Sequence, residues 1–217
     1  DNSGTVNLTG GTLASNALLS GTGTYNNTGI TAIESLDSFG TDMEKINNKD
    51  TLILDESCAG TLNTQISGGK LNVKGIVSTD AENIASTTNT IEETGSLTFT
   101  AGTLSQLITN NGKVNFENEV IVNAVLKGEG NYTNNGTLNI ADAAYLAMTY
   151  DDEPGVLTNT DGTINLGGAT ESILGIKIDG GTLNVVGKVS TVIENLATAE
   201  NNVSADGVLT ITEGDLT

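Results

Sequence analysis

Short apolar–polar–apolar alternations, each led by glycine, punctuate this chain from end to end. The phrase stands at Gly4-Thr5-Val6-Asn7-Leu8, Gly69-Lys70-Leu71-Asn72-Val73, Gly95-Ser96-Leu97-Thr98-Phe99 and Gly112-Lys113-Val114-Asn115-Phe116. It returns at Gly136-Thr137-Leu138-Asn139-Ile140, Gly162-Thr163-Ile164-Asn165-Leu166, Gly181-Thr182-Leu183-Asn184-Val185 and Gly207-Val208-Leu209-Thr210-Ile211. Period-2 alternation over four residues predicts a short strand with its apolar side chains on one face and Asn or Thr on the other. The leading glycine gives the backbone freedom to turn into the strand. From Gly69 onward the gaps between phrases are 26, 17, 24, 26, 19 and 26 residues. Meander hairpins would return about every 8–12 residues. The wider gaps predict the coils of a parallel solenoid, each with two or three short strands, in which a coil buries its apolar face only against its neighbours. Gly11-Thr12-Leu13, Gly60-Thr61-Leu62 and Gly102-Thr103-Leu104 are expected as second strands within coils.

A longer period overlies this rhythm. The stretch Gly68 to Gly102 reappears 112 residues later as Gly180 to Gly214, with 18 of 35 positions identical. Gly21-Thr22-Gly23-Thr24-Tyr25-Asn26-Asn27 matches Gly128-Glu129-Gly130-Asn131-Tyr132-Thr133-Asn134 at an offset of 107, so insertions separate the two blocks. The expected domain plan is one continuous solenoid over 1–217, with unit A about 1–108 and unit B about 109–217. The insertions fall near 32–48 and 141–158. In the first, Ile33, Leu36, Met43 and Ile46 have the spacing of a short amphipathic helix interrupted at Gly40. In the second, Pro154 marks a loop. Helical turns are expected at the starts of 81–91 and 193–203.

Composition narrows the interior. Only 36% of the 217 residues are hydrophobic and 3% aromatic, so Leu, Ile, Val and Ala must fill a thin, elongated core. Net charge is −19, with 27 carboxylates against eight lysines and no Arg or His. Such a surface disfavours nucleic acid and polybasic docking to membranes, and no apolar run is long enough for a membrane-spanning helix. The chain opens on Asp1, which reads as a mature product or an excised fragment. Strand rhythm runs from Val6 to Ile211 with no polar cap at either end, which predicts further coils from the same polypeptide or self-association through the end coils.

Missing residue types remove whole mechanisms: no Ser-His-Asp or Cys-His arrangement, no His metal cluster, no Arg clamp. Gly-x-Gly at Gly21/Gly23 and Gly128/Gly130 reads as turn glycine rather than a dinucleotide fingerprint. Two carboxylates suffice for glycoside hydrolysis, and Asp55-Glu56 and Asp151-Asp152-Glu153 supply them; a solvated acidic face is the simpler reading. Asp151, Asp152 and Glu153 are the candidate calcium ligands, hard oxygens close in sequence, although neither an EF-hand nor the nonapeptide calcium repeat is present. No other cofactor is implied. Tyr25 and Tyr132 are expected to pack at coil corners with their hydroxyls in water; the functional alternative is sugar stacking, which would gather Tyr25, Tyr132, Tyr145 or Tyr150 beside carboxylates in one groove. Cys58 is alone and reads as a small buried residue. Asn and Thr between the apolar positions are expected to stack as ladders up the solenoid.

Gly-Thr-Gly-Thr-Tyr-Asn-Asn-Thr-Gly (21–29) and Asn-Asn-Gly-Thr-Leu-Asn-Ile (134–140) resemble the passenger regions of bacterial autotransporters and related large surface adhesins. The resemblance lies in composition and rhythm over nearly the whole chain, and no catalytic residue of that family maps here. It implies a right-handed β-helix, secretion, display at the bacterial cell surface, and a scaffold or adhesive role toward host or matrix glycans or proteins. The expectation is an all-β, single-stranded parallel β-solenoid of about ten coils, internally duplicated. Its expected function is a non-enzymatic structural or adhesive module; the alternative is a glycan-binding or glycan-cleaving β-helix.

Overall fold

The computed structural model describes residues 1–196, 198 and 200–214. It is an all-β solenoid of about 11 turns, in which parallel sheets run along the three faces of a coil. Each turn contributes one segment to each face. On the first face, Thr5–Leu8, Thr24–Asn27, Lys45–Asn48 and Gln65–Ser67 pair in parallel. A second sheet on that face begins at Gly102–Leu104 and runs to Glu200–Val203. The 3-10 turn Ala81–Ile84 packs between the two. The second face holds Gly11–Leu13 through Leu146–Tyr150, then Ser172–Ile173, Lys188–Val192 and Val208–Glu213. The third holds a bridge between Leu19 and Phe39, the 3-10 turn Leu36–Ser38, and a seven-stranded sheet from Ala59–Leu62 to Lys177–Asp179.

Alternation fixes which side chains go inside. Lys113–Phe116 reads exposed, buried, intermediate, buried, and most four-residue strands likewise bury their second and fourth residues. In-register pairing then stacks like on like: Val77, Leu97, Val114, Tyr132, Leu157 and Ile178 form one interior column. Each such Leu or Ile, removed from water, contributes about 1.5–3 kcal/mol. Phe99, Phe116 and Tyr132 stack over three successive turns, with centroids 5.8 and 6.4 Å apart. Three of the seven aromatics thus share one continuous pile.

Paired residues in adjacent turns are 17 to 21 positions apart, as in Ser96↔Lys113 and Tyr25↔Ile46, and 26 across the insertion at Thr137↔Thr163. This accounts for about 11 turns where about ten were expected. Several glycine-phrase gaps of 24 or 26 residues span one and a third turns. Lys70–Val73 lies on the second face, whereas Ser96–Phe99, one phrase on, lies on the third.

The same shift governs the long repeat. Lys70–Val73 is on the second face, and its counterpart Thr182–Val185 is on the first. Tyr25 is on the first face, and its counterpart Tyr132 on the third. Seventeen segments at three to the turn separate each pair, so the copy is displaced by about five and two-thirds turns. Equivalent residues nevertheless make equivalent bonds. Asn83 donates to Leu62 O and Thr79 Oγ1 at 3.0 and 3.2 Å; Asn195 donates to Leu174 O and Thr191 Oγ1 at 3.0 and 3.1 Å.

Two expectations for the insertions are corrected. Residues 33–46 form no amphipathic helix. Ile33 ends a strand on the second face, Leu36 opens a 3-10 turn at the third, and Ile46 lies in a strand on the first. All are buried, so their spacing reflects a chain rounding a corner and not one helical face. The segment at Pro154 is an antiparallel hairpin, Leu146–Tyr150 with Glu153–Pro154, added to the end of the nine-stranded sheet. Proline is tolerated there because its missing N–H faces no ladder partner. The helical turns expected near 81 and 193 are present as the 3-10 turns Ala81–Ile84 and Ile193–Asn195.

Candidate functional site

The sequence-predicted residues do not converge. Asp151 and Asp152 are the two central residues of the hairpin turn, with φ of +48° and +65°. Two successive positive φ values are those of a type I′ turn, where Asp is favoured. Glu153 follows in the returning strand, and all three are exposed. Asp55 and Glu56 lie in the turn before Ala59–Leu62, five turns away, or about 24 Å at one strand spacing per turn. Among the described residues, no group of three or more His, Cys, Asp or Glu is arranged to hold a metal ion.

Tyr25 and Tyr132 are each 1% exposed. Their hydroxyls meet protein and not water: Tyr25 donates to Ser20 O, and Tyr132 to Lys127 O at 2.8 Å. Burial pushes the Tyr132 phenol well above its usual range, and the bond to Lys127 offsets only part of that. Neither ring is available to a sugar. Tyr145 is partly buried, and Tyr150 alone is exposed, on the hairpin beside Asp151. Cys58 is buried and free. Its thiol donates to Ile33 O, and burial raises its pKa to about 11, so it is not a nucleophile near neutral pH.

Asparagines take two structural roles, of which sequence reasoning found one. Outward asparagines form the expected ladder: Asn202 donates to Asn184, Asn184 to Asn165 and Asn165 to Asn139, at 3.2, 2.8 and 2.7 Å. Others point inward at the ends of strands. Asn27 and Asn134 are fully buried; each donates at 2.8 Å to an asparagine one turn on, Asn48 and Asn159, and also to a corner carbonyl, that of Thr51 or Thr163. The signal was present: in these strands Asn occupies the fourth position, where other copies carry Val, Ile or Leu.

Glycine placement locks these corners. Gly69 and Gly181 have φ of +64° and +60°, and an added Cβ would come within 2.5 and 2.3 Å of the carbonyl oxygens of Asp50 and Asn159. Only glycine fits such a site.

The 3-10 turns Leu36–Ser38 and Ala81–Ile84 each stand where a strand would and leave the next strand on that face with a free edge. On the first face this edge is sealed: the Glu82 carboxylate accepts from Thr103 N at 3.0 Å, close against Gly102. On the third face it is open. Beside Ala59–Leu62, the terminal strand of its sheet, lies a groove of about 630 Å³. Leu18, Leu36, Phe39 and Met43 supply its apolar part, and exposed Asp37 and Asp42 its charge. Sequence reasoning missed this groove, because it follows from what the 3-10 turn fails to pair with. Its lining holds the Asp37 and Asp42 carboxylates and the backbone of Ala59, Gly60 and Thr61. Compared with known proteins, the chain matches no protein-family model, no curated protein and no solved structure.

Proposed function

We propose that this chain is a non-enzymatic structural or adhesive module of a secreted bacterial surface protein: a stalk, filament segment or passenger portion. One observation carries the reading. Among the described residues, what the two units hold in common is the corner glycines, interior columns, buried asparagines and capping bonds, and no repeated set of reacting groups. About 11 turns at one strand spacing make a rod about 50 Å long. Its high negative charge suits solubility in an extended shape. The rhythm shared with autotransporter passengers supports display outside the cell. End-to-end association is part of the proposal. Among the described residues, Glu200–Val203 and Val208–Glu213 each have a strand neighbour on one side only, with Val203 and Val208 about half exposed, and unpaired parallel edges favour addition of further strands.

Size-exclusion chromatography with negative-stain imaging tests this. Rods joined end to end, with length increasing in steps of one unit, are expected; compact or side-by-side particles would contradict it. The competing reading, a glycan-binding or glycan-cleaving solenoid, draws on exposed Tyr150 beside Asp151. It would gain if a glycan array gave binding that Tyr150→Ala abolished.

A further inference from the structure

We propose that the groove on the third face binds an extended, basic peptide segment of a partner protein, which adds as a strand to the free edge of Ala59–Leu62. Three observations lead there. The first is the edge itself. Ile76 N donates to Cys58 O, so in the parallel ladder the backbone groups of Cys58, Gly60 and Leu62 turn toward Ile76–Thr79. Those of Ala59 and Thr61 turn the other way, into the groove. Ala59, Gly60 and Thr61 are exposed, and no strand lies on that side. An added strand would satisfy two donors and two acceptors in a position the fold already shapes for pairing.

The second observation is the equivalent break in the other unit. Gly60-Thr61-Leu62 corresponds to Ser172-Ile173-Leu174, and the 3-10 turn Leu36–Ser38 to Ala143–Tyr145. There the chain places a strand of its own in the break. Glu153–Pro154 extends the sheet beyond Leu146–Tyr150, and Pro154 shares a smaller cavity, about 310 Å³, with Ile173. That strand pairs with Leu146–Tyr150 and leaves the Ser172–Ile173 edge unpaired, so the break admits a short extended strand without closing. In the first unit no such hairpin exists and the space is empty of protein.

The third is charge. The ionisable groups lining the groove are Asp37 and Asp42, both exposed, with no lysine among them. A strand entering with alternate side chains up and down would set apolar residues over Leu36 and Met43 and leave the others near these carboxylates. An alternating Lys/Arg–apolar segment is the chemistry that fits, and the chain's net charge of −19 would speed its approach.

The test uses a fluorescein-labelled Lys-Val-Lys-Val-Lys-Val peptide and fluorescence anisotropy with the full chain. Saturable binding is expected, weakened about tenfold by Thr61→Pro, which removes a groove-facing N–H and leaves the ladder to Ile76–Thr79 intact. The double change Asp37→Asn/Asp42→Asn should weaken binding several-fold and flatten its salt dependence. The same peptide N-methylated at alternate residues should not bind, which keeps the test valid should Thr61→Pro fail to fold. Equal binding of the N-methylated peptide would overturn the proposal as mere attraction to an acidic surface, and so would no binding up to about 1 mM. Self-association of the unmodified chain that Thr61→Pro abolishes would assign the groove to a second copy and overturn it as well.

Discussion

Asn134 shows how much one polar side chain carries inside this coil. It accepts from Gly136 N at 3.2 Å and donates to Asn159 and Thr163 O, with no exposed surface. Asn134→Ala strips partners from groups that stay buried, and should cost about 2–4 kcal/mol, read from the midpoint of urea unfolding. Gly181→Ala should cost at least about 2 kcal/mol by the same measurement, because both its φ and its contact with Asn159 O resist a Cβ. Cys58 gives a pH signature. Burial raises its pKa from 9.0 to about 11, so folding favours the neutral thiol. That contribution is complete below about pH 9 and is lost as pH rises toward 11, a decline of about 2 kcal/mol. Tyr132, raised in the same sense, adds to the loss from its ordinary pKa of 10.0 upward. Urea midpoints at successive pH values should fall through this window, and Cys58→Ala should remove the first part of the fall.

At the scale of the element, strands were legible, as were the helical turns near 81 and 193, but not the strands those turns replace. A four-residue strand carries two buried side chains in strict alternation, so Leu71 and Val73 or Val114 and Phe116 announce themselves. The 3-10 turns bury residues such as Leu36, Ala81 and Ile84 without a period that a sequence pattern can resolve. Only the three-dimensional stacking reveals that they stand where a strand would. For the same reason the groove beside Ala59–Leu62 could not be read in advance, whereas the buried-or-exposed status of single residues such as Cys58 could. The 3-10 turn at Ala81–Ile84 also yields a prediction. Glu82 seals the edge of Gly102–Leu104 by accepting from Thr103 N. Glu82→Ala should raise the hydrogen-exchange rate of the Thr103 amide at least about tenfold with little effect on other amides, whereas Glu82→Gln should retain most of the protection.

At the scale of the whole molecule, stability accrues turn by turn, since every parallel sheet neighbour is one turn away. Removing residues 163–181 takes out one full turn, because Thr163 pairs with Thr182. It would set Leu183 on Leu138 and Val185 on Ile140. That deletion should give a folded rod shorter by about 4.8 Å, with a lower melting temperature by circular dichroism. Removing residues 163–178 instead breaks register and should abolish folding. The register of the repeat itself has a further consequence. A unit of five and two-thirds turns brings back each surface feature at a different azimuth, 120° around the axis from its predecessor. Were such units joined in series, any one feature would wind around the rod as a spiral stair, facing the same way again only after three units, or seventeen turns and about 80 Å. A surface built so would offer its contacts in every direction rather than along one side. A partner gripping two successive copies would have to wrap the rod and not lie along it.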